Sequence, residues 1–292
     1  MSNTFEHFIM QCCKAPEGKL RKWLRKILER NNFTVVEDGY ISDRAKMDRE
    51  YSNVHNMLAI RSEDPTTIPY VCLVAHTDVC RDHNRGNAVY SHYVQGQKQE
   101  LKNIAEKPFV EPVLKRVRLK DNSTKIIIQD KQCKTQVGGD DRLGVAINMW
   151  IALNTGYDMG LLFTTDEESG LLSARAVDFP ELNEFALLCQ VDRGNHTDQL
   201  VNKINGDVLA DYDTTARLLE VAFDMKKPRS LVNGAGTDVQ AIKSRGKCKN
   251  AVNMTCGYHN SVGDNPNEYI DIEEARDTMM YVSKIIQNYE VC

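Results

Sequence analysis

The stretch LLFTTDEESG, residues 161–170, decides how this chain is read. An apolar run climbs to Phe163, two threonines follow, and then come three carboxylates in a row, Asp166, Glu167 and Glu168. A short, nearly continuous apolar run bounded by polar residues is the pattern of a strand covered on both faces. The carboxylates raise a separate question. Like charges held this close push each other's pKa up unless a cation sits among them. Either they are solvated at the start of a helix, where carboxylates complement the dipole and the free N–H groups, or something positive binds there.

Working outward, the same kind of run recurs as IPYVCLVAHTDV (68–79), FALLCQVD (185–192) and KNAVNMTCGYH (249–259). NVHNMLAIR (53–61) reads as a further strand, and KIIIQD (125–130) as part of a hairpin in a more polar stretch, 81–135. Helical periods alternate with these runs. Leu20, Trp23, Leu24, Ile27 and Leu28 recur at helical spacing, and DRLGVAINMWIALNT (141–155), SGLLSARAV (169–177) and DTTARLLEVAFDM (213–225) follow. DIEEARDTMMYVSKIIQNY (271–289) closes the series, with acidic residues in its first turn. Alternating strands and helices predict an α/β fold, a three-layer α/β/α sandwich around a mixed, mostly parallel sheet. The expectation is one domain over residues 1–292, with an insertion at about 81–135.

Composition narrows the function classes. The 292 residues are 41% hydrophobic and 27% charged, with a net charge of -4. That is ordinary for a soluble globular protein and lacks the basic surface of a nucleic-acid partner. No apolar run is long enough for a bilayer, and the first residues lack the basic-then-apolar order of a signal peptide. Nine cysteines, odd in number and without C-x-x-C, predict free thiols and a cytoplasmic location.

The residues at the strand ends carry the chemistry. The first run ends in His76 and Asp78, the second in Glu167 and Glu168, the third in Asp192 and the fourth in His259. VGGDDRLG (137–144) places Asp140 and Asp141 ahead of a helix. In open α/β sheets ligands bind beyond the carboxyl ends of the strands, so distant segments can converge there. His76, His259, Asp140, Glu168 and Asp192 make five mixed nitrogen and oxygen donors, a set that suits zinc, with Co2+ or Mn2+ also accommodated. Five donors suit two ions if one carboxylate bridges them, which gives a pair that clamps a shared water. Of the adjacent pair Glu167 and Glu168, one carboxylate can ligate metal while its neighbour is placed to take a proton from that water and return it to a leaving amine. Asp78 can accept the second N–H of His76.

At these residues the sequence resembles the clan of di-zinc exopeptidases and deacylases that includes peptidase T, the aminoacylase–carboxypeptidase group and cytosolic metallo-aminopeptidases. The likeness runs from CLVAHTDV through GGDDRLG, DEESG, VDRG and GAGTD to GYHN. It implies that His76 and Asp192 hold one zinc, that Glu168 and His259 hold the other, and that Asp140 bridges both, often through a cis peptide to the next residue. It further implies that Glu167 is the general base, with Asp78 behind His76, and that GAGTD (234–238) is a turn near the site. Relatives insert a lid domain between the equivalents of Asp192 and that turn. Here only residues 193–235 lie there, so no separate lid domain is expected. Arg193, placed where many relatives carry glycine, is a candidate for a substrate carboxylate, and Asp238 is a candidate for the substrate side of the site.

The implied activity is hydrolysis of a small peptide by an aminopeptidase or a di/tripeptidase. A deacylase or carboxypeptidase acting on an N-acyl amino acid or a peptide end, or an inactive binding relative, stays open. Taken singly, each motif has a plainer reading: an H-x-D at a strand end is usually structural, GGDD is a turn and cap, and His259 alone fits a packed histidine. The side-chain preference and the oligomeric state are left open by the sequence.

Overall fold

In the third strand of the chain, residues 71, 73 and 75 join one apolar core and residues 72 and 74 join another. That split is the period-two geometry of a strand with both faces buried, and it builds a layered molecule. The computed structural model describes residues 4–42, 44, 54–64, 66–79, 91–94, 97–100, 110–261 and 265–290.

In chain order the elements are α1 (Phe5–Lys14), α2 (Glu17–Arg30), β1 (Thr34–Glu37), β2 (Met57–Arg61) and β3 (Val71–His76). Two hairpins follow, β4 (Ser91–Val94) with β5 (Gln97–Glu100), and β6 (Pro112–Arg118) with β7 (Thr124–Asp130). Next are α3 (Gly139–Asn154), β8 (Met159–Thr164), α4 (Leu172–Ala176), β9 (Leu187–Arg193), β10 (Gln199–Ile204) and β11 (Asp207–Val208). The chain continues through α5 (Tyr212–Asp224), β12 (Ser230–Gly234), α6 (Asp238–Ser244), β13 (Ala251–Thr255), β14 (Tyr258–His259), β15 (Tyr269–Asp271) and α7 (Ile272–Glu290).

The nine-stranded sheet runs β1-β2-β8-β3-β9-β13-β10-β11, with β12 paired to β10. Its centre, β8-β3-β9-β13, is parallel, while β1, β2 and β10 pair antiparallel to their inner neighbours. Helices α1, α2, α3, α5 and α7 pack on the face that carries Leu73, Leu161 and Cys189. Helices α4 and α6 cover the face of Cys72, Leu162 and Leu188. This is the mixed, mostly parallel α/β sandwich that the alternating runs predict. Each fully buried Leu, Val or Phe contributes up to about 1.5–3 kcal/mol of transfer free energy.

The central strands β3, β8 and β9 lie parallel in adjacent positions, so their carboxyl ends open on one crevice. One expected strand divides. KNAVNMTCGYH leaves the large sheet after Thr255, and Tyr258–His259 form β14 in a second sheet of order β14-β15-β7-β6. Gly257 makes the break at φ +102°, where a Cβ would press to 2.9 Å against Ala275 N and Glu274 Cβ. Only glycine combines that φ with so close an approach. His259 therefore stands on the small sheet and not at the carboxyl end of a central strand.

Candidate active site

His76 ends β3 fully buried. Its Nδ1 lies 3.0 Å from the carbonyl oxygen of Asp78, which can only accept, so Nδ1 carries a proton and Nε2 faces the crevice. Nε2 sits 3.1 Å from Asp140 Oδ1, 3.7 Å from Asp192 Oδ1 and 4.0 Å from Glu167 Oε2. Among the described residues, His76, Glu167 and Asp192 are the group whose donor atoms all fall within 4.8 Å of one another.

These three and Asp140, which approaches His76, are each delivered by a different piece of chain. Asp140 sits at the mouth of α3, where the Asp140–Asp141 peptide is cis. Asp141 turns away from the crevice: its Oδ2 accepts the His76 N–H at 3.2 Å and its Oδ1 the Gly144 N–H at 3.0 Å. It thus caps the helix and ties it to β3. Gly144 is required there, since a Cβ would meet Asp141 Oδ1 at 2.2 Å and the Val191 carbonyl at 2.6 Å. Asp192, near the end of β9, accepts from Tyr258 Oη at 3.0 Å and from Gln190 Nε2 at 3.0 Å.

The acidic triplet is sorted by its backbone. Both oxygens of Asp78 accept from the triplet turn, from the N–H of Glu167 and of Glu168, each at 3.2 Å. The Asp78 carboxylate therefore links the β3 end to the β8 end, and the carbonyl of the same residue orients His76. Asp166 points the other way, to Arg44 Nε at 2.6 Å and Tyr40 Oη at 2.7 Å. Glu167 alone of the triplet joins the His76 group.

Electrostatics marks the crevice. Burial pushes the Glu167 carboxyl well above its ordinary range; His76 opposes this, and Asp192, Asp238 and Asp140 add to it. Burial also raises Asp192 to about 7 and Asp238 to about 6, again against His76. Burial alone would lower His76, yet Asp192, Asp140 and Asp78 outweigh it and hold the imidazole well above its usual value. Several acids thus share one imidazole. A divalent cation would reverse this frustration, and the nitrogen and carboxylate donors suit zinc. By donor chemistry the gathered residues fit such an ion.

The remaining expected residues are held by other partners. His259 Nε2 lies 2.9 Å from Glu274 Oε2, and its ring stacks on Tyr269 at 4.9 Å between centroids. Neighbouring residues of a strand face opposite sides: Tyr258 reaches Asp192, so His259 looks outward to Glu274. Neither His259 nor the Glu168 side chain enters the gathered group. The Arg193 Nε donates to Gln199 Oε1 at 2.7 Å. Asp238, at the start of α6, is buried and accepts from Thr164 Oγ1 at 2.7 Å and Gln190 Nε2 at 3.4 Å.

Three further residues hold the site. Gln190 bridges Asp192 and Asp238 and accepts the Val239 N–H. Tyr258 anchors Asp192. Glu268 accepts the N–H groups of Gly138 at 2.6 Å and Asp140 at 3.3 Å, fixing the Gly-Gly-Asp turn, and burial raises its carboxyl to about 7. The sequence offers one sign of this, a lone glutamate in the polar stretch NPNEYI, and nothing there names its partner.

No protein-family model and no curated protein matches the chain. Solved structures do. Aminopeptidase PepT from Bacillus cereus superposes with a TM-score of 0.69 over 98% of both chains, at 15% identity. A tripeptidase from Staphylococcus aureus gives 0.65 at 12% identity, over 98% of this chain and 97% of that one. An aminopeptidase from the archaeon Desulfurococcus kamchatkensis gives 0.61 at 13% identity, over 97% and 94%. At such identities the likeness is one of fold: this chain has the α/β fold seen in these aminopeptidase and tripeptidase structures, the architecture that its strand-end motifs imply.

Proposed function

We propose that the chain is a metal-dependent exopeptidase acting on the free amino end of small peptides. One observation carries the reading: His76, Asp140, Glu167 and Asp192, from four separate segments, meet at the carboxyl ends of the central strands. His76 Nε2, Asp140 and Asp192 would hold zinc, and a second ion would have to share Asp140 with the first. Bound zinc supplies Lewis-acid polarisation of the scissile carbonyl and makes water a better nucleophile near neutral pH. A second ion held by Glu168 and His259 requires His259 to leave Glu274, so the first ion has its donors gathered and the second does not.

Glu167 takes the proton of the attacking water and delivers it to the departing amine. Burial raises its carboxyl in the metal-free fold, and a cation bound beside it would favour the ionised form that a base requires. Asp78 fixes the proton of His76 on Nδ1 and holds the Glu167 backbone. Asp238 acts through Thr164 and Gln190, and Arg193, whose Nε donates to Gln199, would have to leave that bond to meet a substrate carboxylate. The seven described cysteines are free, which supports a reducing, cytoplasmic setting. Among the described residues no helix is long and apolar enough to cross a membrane. We take residues 1–292 as one catalytic domain without a lid.

The test combines metal analysis of the purified protein with hydrolysis of a dipeptide and its N-acetylated form. Zinc-dependent cleavage of the free-amine dipeptide is expected. Turnover of the blocked form alone assigns the deacylase chemistry instead, and bound metal without turnover of either assigns a binding role.

A further inference from the structure

Behind the crevice lies an ionic cluster that the chemistry above does not use. Glu17, in the first turn of α2, and Arg44 are both buried, and Arg44 Nη1 stands 2.8 Å from Glu17 Oε2. Glu17 Oε1 accepts from two hydroxyls at once, Thr77 at 2.8 Å and Thr165 at 2.7 Å. Arg44 donates from Nε to Asp166 at 2.6 Å and from Nη2 to Thr165 at 2.7 Å. Arg21, also buried, donates from Nη1 to Thr77 Oγ1 at 3.0 Å and to the carbonyls of Phe163 and Thr164 at 3.3 Å.

The residues touched are the neighbours of the proposed machinery. Thr77 separates His76 from Asp78, and Thr165 and Asp166 lead directly into Glu167. We propose that the Glu17–Arg44 pair is a positioning bracket that sets the β8 turn, and with it Glu167, against the β3 end. Removing two charges from water is expensive unless both are paired and hydrogen-bonded, and here the hydrogen bonds go to these two strand ends. A pair serving packing alone has no need of both threonines. The Asp78 carboxylate links the same turns from the front through the Glu167 and Glu168 N–H groups. The turn is thus held from two sides, and its own bonds, Gly170 N–H and Leu171 N–H to the Glu167 carbonyl, close it. Arg44 and Glu17 touch neither substrate nor proposed ligand; they act through Thr165, Asp166 and Thr77.

The role in turnover rests on the exopeptidase reading, and the test separates the two. Amide hydrogen exchange is followed in metal-free wild type, Arg44→Met, Arg44→Lys and Asp166→Asn, with zinc affinity, kcat and KM measured alongside. In Arg44→Met, amides 167–171 should exchange about tenfold faster or more, a local opening, while β9 keeps its protection. kcat should fall with KM little changed, and Arg44→Lys should recover part of both. Unchanged exchange at 167–171 in both Arg44→Met and Asp166→Asn overturns the bracket, whatever the protein proves to hydrolyse. If Arg44→Met does not fold, Arg44→Lys and Asp166→Asn carry the same regional readout. A wild type that neither binds zinc nor cleaves peptides sinks the exopeptidase reading, and the exchange data still decide the bracket.

Discussion

Asp166 and Glu167 are adjacent in the chain and sit in opposite surroundings. Asp166 faces back into the molecule, with Arg44 at 2.6 Å and Tyr40 at 2.7 Å. Glu167 faces forward into a crevice where Asp140, Asp192 and Asp238 share one imidazole, and burial drives its carboxyl well above the usual range. One acid is matched by a cation that the chain supplies; the other is left for a cation or a proton from outside. The difference teaches that a run of like charge is not one feature. The turn, pinned by Asp78 at two successive N–H groups, distributes its carboxylates to two sides.

The sharpest way to break that contrast is to neutralise each acid in turn. Glu167→Gln should lower kcat by about 10²–10⁴, the usual loss when a positioned base is removed, with zinc still bound. The same change should stabilise the metal-free protein at pH 8, because a folded-state pKa above the unfolded one makes the ionised form a burden there. Urea unfolding checks the sign. A Glu167→Gln protein as active as wild type with its metal in place removes Glu167 from the proposed chemistry.

Asp166→Asn should act in the opposite sense on stability. It leaves Arg44 buried beside Glu17 with one described carboxylate fewer, and breaking one arm of a buried ionic cluster costs up to about 3–5 kcal/mol. The amide still accepts a hydrogen bond, so the lower end is expected. A denaturation midpoint equal to wild type would place the two acids in the same class after all.

The contrast also predicts a pH dependence. Carboxyls ordinarily titrate near 4 when unfolded, whereas burial puts Asp238 at about 6, Asp192 at about 7 and Glu268 at about 7 in the fold. Their folded pKa values are raised, so the stability they contribute is full below about pH 4 and is lost as pH rises through 6 to 7. The raised pKa of His76, which its carboxylate neighbours win against burial, has the same sign. Asp211 has the other sign: the Thr214 N–H that it caps holds it low, so its contribution disappears as pH falls. Metal-free protein should therefore melt at progressively lower temperature from pH 5 to pH 8. Glu268→Gln should flatten that slope. A flat profile in wild type contradicts the buried-acid description of the crevice.

What the sequence makes legible is what is periodic or contiguous. The runs ending at His76, Thr164 and Asp192 are apolar because both faces of β3, β8 and β9 are covered, so the sheet and its carboxyl-end crevice follow from pattern alone. The elements it does not reveal, among them β1, β10, β11, β12, β15 and α6, are short or half-exposed and carry little apolar signal. The partners of the site are invisible for another reason. Glu17, Arg44 and Glu268 act at separations set by the fold, and no spacing rule connects Arg44 to Asp166 across 122 residues. The place of His259 is hidden by the same limit: a single Gly257 carries the chain from one sheet to another, and one residue of register decides which face a side chain takes.

That histidine gives the smallest expected effect. Its ring is held by Glu274 and Tyr269, and Glu274 in turn shares Lys125 with Asp271. His259→Asn removes one partly exposed hydrogen bond and should cost about 1 kcal/mol, leaving kcat within a few-fold of wild type. His76→Asn, at the buried centre, should abolish both zinc binding and turnover. Measured together with zinc stoichiometry, the pair of variants orders the two imidazoles. If His259→Asn instead drops the bound zinc from two ions to one and collapses turnover, the ring must exchange Glu274 for metal on loading, and the small sheet then becomes part of the catalytic apparatus instead of a flank beside it.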